Sequence, residues 1–214
     1  MNYKIICIGR QFGSGGHEIG KRLAEELGYQ FYDQTLLIES IQNSSISSDI
    51  LKKADEKKEN AWLYQVVYDE SNKELRGISA NEALFRMQSR TILEAAQKEN
   101  CVFVGRCADY VLEKAGLERL SLFISAPFRN RVKRKMELMG EEEKKITALV
   151  RKIDHQRKNY YNFYTQSNWG KIDNYDFCIN SATLGVEQTA VILKEFINEN
   201  ASAYFSEMKR GKTL

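Results

Sequence analysis

The chain has 214 residues, of which 43% are hydrophobic and 29% charged, and its formal net charge is +3 at pH 7. So small a net charge argues against duplex nucleic acid as a partner. No apolar run approaches the roughly 18–20 residues that span a bilayer, and no signal peptide is recognisable. The four cysteines form neither a CxxC pair nor a disulfide framework. These features predict a cytoplasmic protein with no membrane or nucleic-acid partner.

Short apolar runs alternate with helical patterns along the chain. The predicted strands are residues 3–8, Gln30–Tyr32, 101–105, Leu120–Ser125 and Phe177–Asn180. Helical patterns cover Gly16–Leu27, 81–98, Ala108–Lys114, 127–164 and 185–198. Strands that are almost continuously apolar and separated by helices are typical of a parallel sheet covered on both faces. The order therefore predicts an α/β protein with helices flanking a parallel sheet.

A glycine-rich turn at residues 10–16 connects the first predicted strand to the first helix. Glycines let backbone N–H groups approach an anion, and the N-terminus of the helix adds partial positive charge. The turn therefore predicts a phosphate site, with a merely tight strand-to-helix turn as the alternative. The residues expected to bind the phosphate are Gly13, Ser14, Gly15, Gly16 and His17.

The turn departs from a full P-loop, which reads GxxxxGK[ST]. When Gly15 takes the second glycine of that pattern, Gly16 falls on the lysine and His17 on the hydroxyl residue. Phosphoryl transfer without that lysine needs another cation. Arg10 is predicted to supply it, because it leaves the strand at the mouth of the loop. Lys21 is a poorer candidate, since it lies more than one turn into the helix.

Two polar residues follow predicted strands directly. Asp33 comes after Gln30–Tyr32, and Arg106 comes after the strand at 101–105. Open α/β sheets bind ligands at the carboxyl ends of their strands, so Asp33 is expected either to accept hydrogen bonds from a ligand or to cap the next helix. Arg106 is expected to pair with a phosphate, with a surface salt bridge as the alternative.

Two regions are longer than simple connections between strands. Residues 44–79 are polar, and residues 129–169 are rich in basic and aromatic side chains. Such insertions usually become lobes or lids over a ligand, and solvated helices are the alternative. The prediction is one domain over 1–214, with its core at 1–43, 80–128 and 170–200, one lobe at about 44–79 and a lid at about 129–169.

The predicted lid carries charges in informative positions. Asp154 and Arg157 interrupt an apolar helical stripe that starts at Ile146. They are expected either to meet a polar ligand or to form a buried i,i+3 ion pair, which is seldom strongly stabilising. The basic cluster at 129–135 is either a solvated face or a lid that closes over a nucleoside triphosphate. Arg90, on the helix predicted at 81–98, is expected on the inner face of that helix.

In this order the motifs resemble those of the cytidylate kinase family, and more closely its cytidylate-kinase-like branch. The resemblance covers nearly the whole chain and implies a nucleoside-monophosphate kinase fold with a parallel five-stranded core, an acceptor-binding lobe at about 44–79 and a lid. It also implies phosphoryl transfer from ATP, with Mg²⁺, to CMP, dCMP or a related small phosphorylated acceptor. The motifs are RQFGSGGHEIG at 10–20, LGYQFYD at 27–33, VGRCADY at 104–110, IDHQRKNYYNFYT at 153–165 and NYDFCINSATLG at 174–185.

The resemblance implies roles for the polar residues on the acceptor side. Asp33 would sit at the acceptor nucleotide, and Arg90 and Arg106 would hold its phosphate or base. Asp154 and Arg157, which match the DxxR of the family, would reach the sugar and phosphate of the acceptor.

On the donor side, Arg131 and Arg134 would be lid arginines at ATP. The predicted catalytic set consists of Arg10, Arg131, Arg134 and Arg157.

The chain also departs from the family pattern on the acceptor side. Val104 and Cys107 replace two aspartates that flank the glycine–arginine pair in cytidylate kinases proper, and Gln34 replaces a serine near the acceptor. These positions bear on the choice of cytosine as the base.

Two other functions fit parts of the pattern. The absent lysine favours a nucleotide sensor or adaptor that has the fold without catalysis, whereas the arginines and Asp154 favour a kinase. Asp33 also lies about twenty residues beyond the loop, where a dinucleotide-dependent oxidoreductase has its ribose-binding acid. Glu18 argues against that third function, because it stands where the dinucleotide fingerprint needs its third glycine.

Overall fold

Five parallel strands form one sheet at the centre of the computed structural model, which describes residues 4–36 and 80–200. Their spatial order is β2-β3-β1-β4-β5. The strands are β1 (Ile5–Arg10), β2 (Gln30–Tyr32), β3 (Cys101–Val104), β4 (Leu120–Ser125) and β5 (Phe177–Asn180). The parallel five-stranded sheet predicted from the sequence and its resemblance is confirmed. The first strand runs on to Arg10, two residues past its predicted end, which carries Arg10 to the carboxyl edge of the sheet.

Six helices accompany the strands in the described part of the chain. They are α1 (Gly16–Leu27), α2 (Ala80–Lys98), α3 (Ala108–Lys114), α4 (Phe128–Met139), α5 (Glu143–Thr165) and α6 (Ser181–Glu195), with a 3₁₀ turn at Ile172–Asn174 and a π turn at Phe196–Asn200. None of these helices is long and apolar enough to cross a membrane. The predicted lobe at 44–79 lies outside the described residues.

Glycines explain two differences from the predicted helices. The helical pattern over 127–164 is two helices, because Gly140 takes a left-handed φ of 66° and ends α4 with its N–H bonded to the carbonyl oxygen of Met136. The last helix begins at Ser181, four residues before the predicted start, and Gly185 interrupts its regular geometry with φ 77° and ψ 173°. Only glycine adopts such a conformation without strain.

The core explains why the strands are apolar on both faces. On one face Ile6 and Ile8 pack with Leu23 of α1 and Leu193 of α6. On the other face Cys7, Phe103 and neighbouring residues pack with α2 and α3. Burying each large apolar side chain contributes about 1.5–3 kcal/mol. Helices on both faces therefore fix the sheet and present its carboxyl edge as a rigid platform.

A third apolar cluster joins α4 and α5, the two helices of the predicted lid, to the turn after β1. Val132 of α4 packs with Ile146 and Val150 of α5, and all three are buried. Phe12 and Phe128 pack against this cluster. The predicted lid is therefore in direct contact with the glycine-rich turn.

Candidate active site

The glycine-rich turn connects β1 to α1 with a compact, internally bonded backbone. Gly13 and Gly15 have left-handed φ angles of 85° and 81°, which glycine tolerates at little cost. The hydroxyl of Ser14 donates to the carbonyl oxygen of Gln11 at 2.9 Å and accepts the N–H of Gly16 at 3.3 Å. The hydroxyl of Ser181, at the start of α6, donates to the carbonyl oxygen of Ser14 at 2.6 Å. The turn is thus preformed at the N-terminus of α1, as a phosphate loop requires.

Two lid residues hold the peptide groups of Phe12 in this loop. Asp154 Oδ1 accepts the backbone N–H of Phe12 at 2.7 Å, and Arg131 Nη1 donates to its carbonyl oxygen at 3.0 Å. The same Nη1 lies 2.5 Å from Asp154 Oδ2, while Arg131 Nε donates to the carbonyl oxygen of Ala126. Asp154 therefore forms its ion pair with Arg131. The i,i+3 ion pair between Asp154 and Arg157, one of the two predicted alternatives, is wrong.

A cavity of about 520 Å³ opens beside the loop at the carboxyl edge of the sheet. Arginines from three elements line it: Arg10 from the end of β1, Arg106 from the turn after β3, and Arg157 from α5. The sequence predicted a role at the site for all three, and the structure brings them together. Asp154 does not line this cavity, because its carboxylate faces the loop.

The side chain of Arg10 crosses from the loop to the cavity. An ideal Cβ on Gly16 would lie 2.6 Å from Arg10 Cβ, so the stem of Arg10 occupies the space beside the position of the missing lysine. Its guanidinium ends against Gly105, where an added Cβ would collide with Nη1. The side chain of Arg10 thus runs past the position of the lysine, and its guanidinium ends beside Gly105 in the cavity.

The three arginines raise the local positive potential. Burial, together with the charges of Arg157 and Arg106, lowers the pKa of Arg10 to about 9. Burial also lowers the pKa of Arg157, although Asp154 opposes this shift. Within the described residues, Arg10 Nε is buried without a hydrogen-bond partner. An anion in the cavity would relieve the repulsion between the guanidinium groups.

The turn after β3 holds Arg106 in an unusual backbone conformation. Gly105, Arg106 and Cys107 have successive φ angles of 84°, 60° and 55°, all in the left-handed region. Each of the two non-glycine residues costs roughly 1–2 kcal/mol there. The guanidinium of Arg106 lies 5.1 Å from the centre of the Tyr160 ring, a cation–π arrangement. The turn therefore directs Arg106 into the cavity.

Aromatic side chains and one carboxyl group complete the cavity. Tyr160, Tyr161, Trp169 and Tyr175 line it, and Tyr161 donates its hydroxyl to Asp109 Oδ2 at 2.9 Å. Burial raises the pKa of Asp109, partly offset by that hydrogen bond.

The sequence analysis did not identify these groups as cavity residues. The sequence pattern predicted only that Tyr160 and Tyr161 lie on the apolar face of a helix. The signal that could have pointed to Asp109 is its place in VGRCADY, two residues after Cys107.

His17 and Asp33 form a pair at the other side of the loop. His17 Nε2 lies 2.8 Å from Asp33 Oδ2, and Asp33 Oδ1 accepts the N–H of Leu36 at 3.0 Å. Burial alone would raise the pKa of Asp33, but the hydrogen bonds from Leu36 and His17 lower it. Asp33 therefore caps the turn that follows it, one of its two predicted roles.

The side chains around the loop do not fit a Mg²⁺ centre held by the protein. Mg²⁺ prefers oxygen ligands, usually one or two carboxylates with substrate phosphates. The hydroxyl position of the loop holds His17, and Asp33 is engaged by His17 and Leu36. Within residues 4–36 and 80–200, no three histidine, cysteine or acidic side chains are grouped to bind a metal.

The basic cluster of the lid is divided between the loop and solvent. Arg134 Nη2 lies 2.5 Å from Glu18 Oε2, and its guanidinium carbon would be 3.8 Å from a Cβ on Gly15. Lys135 lies over the ring of Phe12 at 4.7 Å. Lys133, in contrast, is 80% exposed. Lys133 thus lies on a solvated face, whereas Arg134 and Lys135 lie against the loop, and a lid that closes over a nucleoside triphosphate stays a prediction.

Arg90 lies on the outer face of α2, so its predicted inner-face position is wrong. Its side chain is 68% exposed, and its Nε donates to Glu94 at 2.8 Å. The inner face of α2 instead carries Met87 and Gln88, both buried. Arg90 falls on the same face as Arg86, one helical turn away, because residues four apart in a helix lie together.

Comparisons with known proteins agree with this fold. A solved but uncharacterized protein from Eubacterium ventriosum ATCC 27560 is 29% identical, with a TM-score of 0.69 over 92% of this chain and 99% of that chain. Shikimate kinase from Bacteroides thetaiotaomicron is 14% identical, with a TM-score of 0.52 over 90% and 97% of the two chains, and shares the fold. No curated protein matches. The cytidylate kinase-like family model matches residues 5–183, and the chain therefore belongs to the cytidylate kinase-like family.

Proposed function

We propose that the protein transfers a phosphoryl group from ATP to a nucleoside monophosphate, CMP or dCMP, or to a related small phosphorylated acceptor. The observation that carries this proposal is the convergence of Arg10, Arg106 and Arg157 on one cavity beside a preformed phosphate loop. A phosphate loop and a separate anion site at its edge are what an enzyme needs to bring two phosphorylated molecules together.

On the donor side, the loop amides from Gly13 to His17 bind the β-phosphate of ATP. Arg134 lies next to Gly15 and neutralises charge on the phosphate chain. Catalysis rests on positioning and charge neutralisation, because phosphoryl transfer needs little covalent chemistry from the protein. ATP brings Mg²⁺ with it, and no side chain is assigned to the ion.

On the acceptor side, Arg106 and Arg157 bind the phosphate of the acceptor, and the aromatic side chains of the cavity pack against its ring. Arg10 supplies the charge of the missing lysine. This assignment is supported by the path of its side chain, whose stem passes Gly16 and whose guanidinium reaches Gly105. A cation there lies between the two phosphate sites, where negative charge has to be neutralised during transfer.

Calorimetric titration with ATP and with CMP, each with and without Mg²⁺, tests this proposal. We expect both nucleotides to bind and ADP to be released when they are mixed. Titration with dCMP, UMP and AMP then identifies the acceptor. If neither ATP nor any monophosphate binds, the proposal is wrong.

A second candidate function is a nucleotide sensor of the same fold that binds without catalysis. It is favoured by one observation, the replacement of both the lysine and the hydroxyl residue of the loop by Gly16 and His17. ATP binding without turnover on all common monophosphates would identify the sensor. Binding of NAD in place of ATP would contradict both candidates and point to the oxidoreductase.

A further inference from the structure

Both polar groups of one residue in the phosphate loop are bonded to a pair of lid side chains. Asp154 of α5 accepts the N–H of Phe12, and Arg131 of α4 donates to its carbonyl oxygen. The two side chains also pair with each other at 2.5 Å. Arg131 is only 6% exposed. Both carboxylate oxygens of Asp154, and Nε and Nη1 of Arg131, are therefore already bonded within the protein.

We propose that Asp154 and Arg131 are positioning residues that fix the conformation of the phosphate loop, and that they do not contact donor or acceptor. The proposal rests on the proposed function only in that the loop binds phosphate. It reassigns two residues for which the resemblance implied substrate contacts, the sugar of the acceptor for Asp154 and the donor for Arg131.

The side chain of Phe12 is held by the same two helices. Its ring packs on the cluster of Val132, Ile146 and Val150, and the cations of Lys135 and Arg157 lie 4.7 and 5.7 Å from its centre. A residue fixed through both its backbone and its ring has little freedom to move apart from α4 and α5. The loop and the lid helices therefore form one unit at this point.

The neighbouring glycine shows why the loop needs such a contact. Gly13 has a φ of 85°, and a Cβ there would lie 2.9 Å from the carbonyl oxygen of Arg131. The backbone of α4 thus packs directly on the loop. The loop itself has no lysine that could donate hydrogen bonds to the carbonyl oxygens of the loop. Arg131 brings a buried cation to one of those carbonyls, and Asp154 balances the charge.

Amide hydrogen exchange tests the proposal without any ligand. In the wild-type chain the N–H of Phe12 is expected to exchange slowly, because it donates to a carboxylate. Asp154→Asn breaks the pair with Arg131 and should speed that exchange by about 10-fold or more, the effect of losing one charge-assisted hydrogen bond. The matched control is Glu141→Gln, which removes a carboxylate paired with Lys145 at an exposed site between the same helices. It should leave the exchange of Phe12 unchanged.

Nucleotide titration separates positioning from substrate contact. With Asp154→Asn, we expect ADP binding to weaken by about 10- to 100-fold, while CMP binding stays within about twofold of wild type. If Asp154 touches the acceptor, the opposite result follows, with CMP binding lost and the exchange of Phe12 unaltered. That result overturns the proposal.

A second variant covers the case in which Asp154→Asn does not fold. Arg131→Lys keeps the charge but loses the planar guanidinium that reaches Phe12 and Ala126 together. It should weaken ADP binding less than Arg131→Met does, and both should speed the exchange of Phe12. Unchanged exchange in Arg131→Met contradicts the proposal. If the wild-type chain binds no adenine nucleotide, the proposed function fails, and the exchange experiment still decides the role of the pair.

Discussion

The two sides of the site differ in how their charged groups are used. At the phosphate loop, Asp154 and Arg131 bond to the backbone of Phe12 and to each other. In the cavity, Arg10 and Arg106 lie near other cations and an aromatic ring, and Arg10 Nε has no hydrogen-bond partner among the described residues. The peptide groups of Phe12 are thus satisfied within the protein, whereas the cavity collects positive charge. Charge that is paired within the protein fixes structure, and charge left without a counter-ion recruits a ligand.

The largest effect is expected from Arg10. Arg10→Ala should lower kcat/KM by about 10²- to 10³-fold, because it removes a preorganised cation between the two phosphate sites. Arg86→Met is the control, since Arg86 is exposed on α2 and pairs with Glu82. Steady-state kinetics with ATP and the identified acceptor measure both variants. Unchanged turnover in Arg10→Ala would show that this arginine does not replace the lysine.

A double variant sharpens the test of Arg10. Gly16→Lys alone should be poorly tolerated, because its Cβ would lie 2.6 Å from Arg10 Cβ. Arg10→Gly combined with Gly16→Lys removes the contact with the Arg10 stem, leaves Ile124 Cβ at 3.1 Å from the added carbon, and restores a lysine at the P-loop position. The double variant should recover activity relative to Arg10→Gly. If the double variant and Arg10→Gly are equally active, a lysine at position 16 does not replace the charge of Arg10.

Gly105 is expected to show the next largest effect. Gly105→Ala places a methyl group against the guanidinium of Arg10 at a φ of 84°, and should cost about 2 kcal/mol or more of unfolding free energy with reduced activity. Gly116→Ala is a matched control, because Gly116 also has a positive φ, 70°, but no atom of the described residues lies within 4 Å of the added carbon. Urea denaturation of both variants separates backbone strain from the contact. Equal losses would show that the contact with Arg10 contributes nothing.

A smaller effect is expected within the basic cluster of the lid. Arg134→Gln should weaken ATP binding by about 10-fold, because a charge-assisted contact to phosphate contributes about 1.5 kcal/mol. Lys133→Gln, at an exposed neighbouring position, should change the affinity by less than about twofold. Calorimetry on both variants decides whether the cluster acts through Arg134 or through its overall charge. Equal losses would favour the overall charge.

The smallest effect is the pH dependence from Asp109. Burial raises the pKa of its folded-state carboxyl above the ordinary value. The folded chain therefore keeps this proton to higher pH than the unfolded chain does. The unfolding free energy from this group is greatest below the unfolded pKa and falls as pH rises through the folded pKa, by at most about 1.4 kcal/mol per pH unit. Asp109→Asn should flatten this slope in urea denaturation at pH values above the ordinary carboxyl pKa, and Asp173→Asn, at an exposed position, should not.

The sequence predicted the sheet well because its signals are local. Each strand is a short apolar run, and the packing of helices on both faces requires that pattern. The end of α4 at Gly140 was missed, although two local signals mark it. A glycine between helical patterns is a known end signal, and no apolar residue lies between Met139 and Ile146. The helical stripe around Ile146 was predicted correctly, and Ile146 and Val150 are buried.

The positions of candidate site residues were predicted well for residues that follow a strand, and less well for residues that lie on a helix. Arg10 and Arg106 lie at strand ends, so the sheet alone brings them to one edge. Arg90 was misplaced because one residue of rotation along a helix turns a side chain by about 100°. The partners of Asp154 lie 23 and 142 residues away in the sequence. No local pattern encodes such contacts, and only the packing of α4 and α5 on the loop creates them.

The packing of the Arg10 stem on Gly16 also constrains how this chain could change. A lysine introduced at 16 meets the arginine stem, and loss of the arginine alone removes the cation that we propose to replace the lysine. We therefore expect neither single substitution to produce a working loop of the lysine type. Arg10 and Gly16 should therefore be inherited as a pair. Natural or laboratory selection for a lysine at position 16 would have to replace both residues at once or pass through an inactive intermediate.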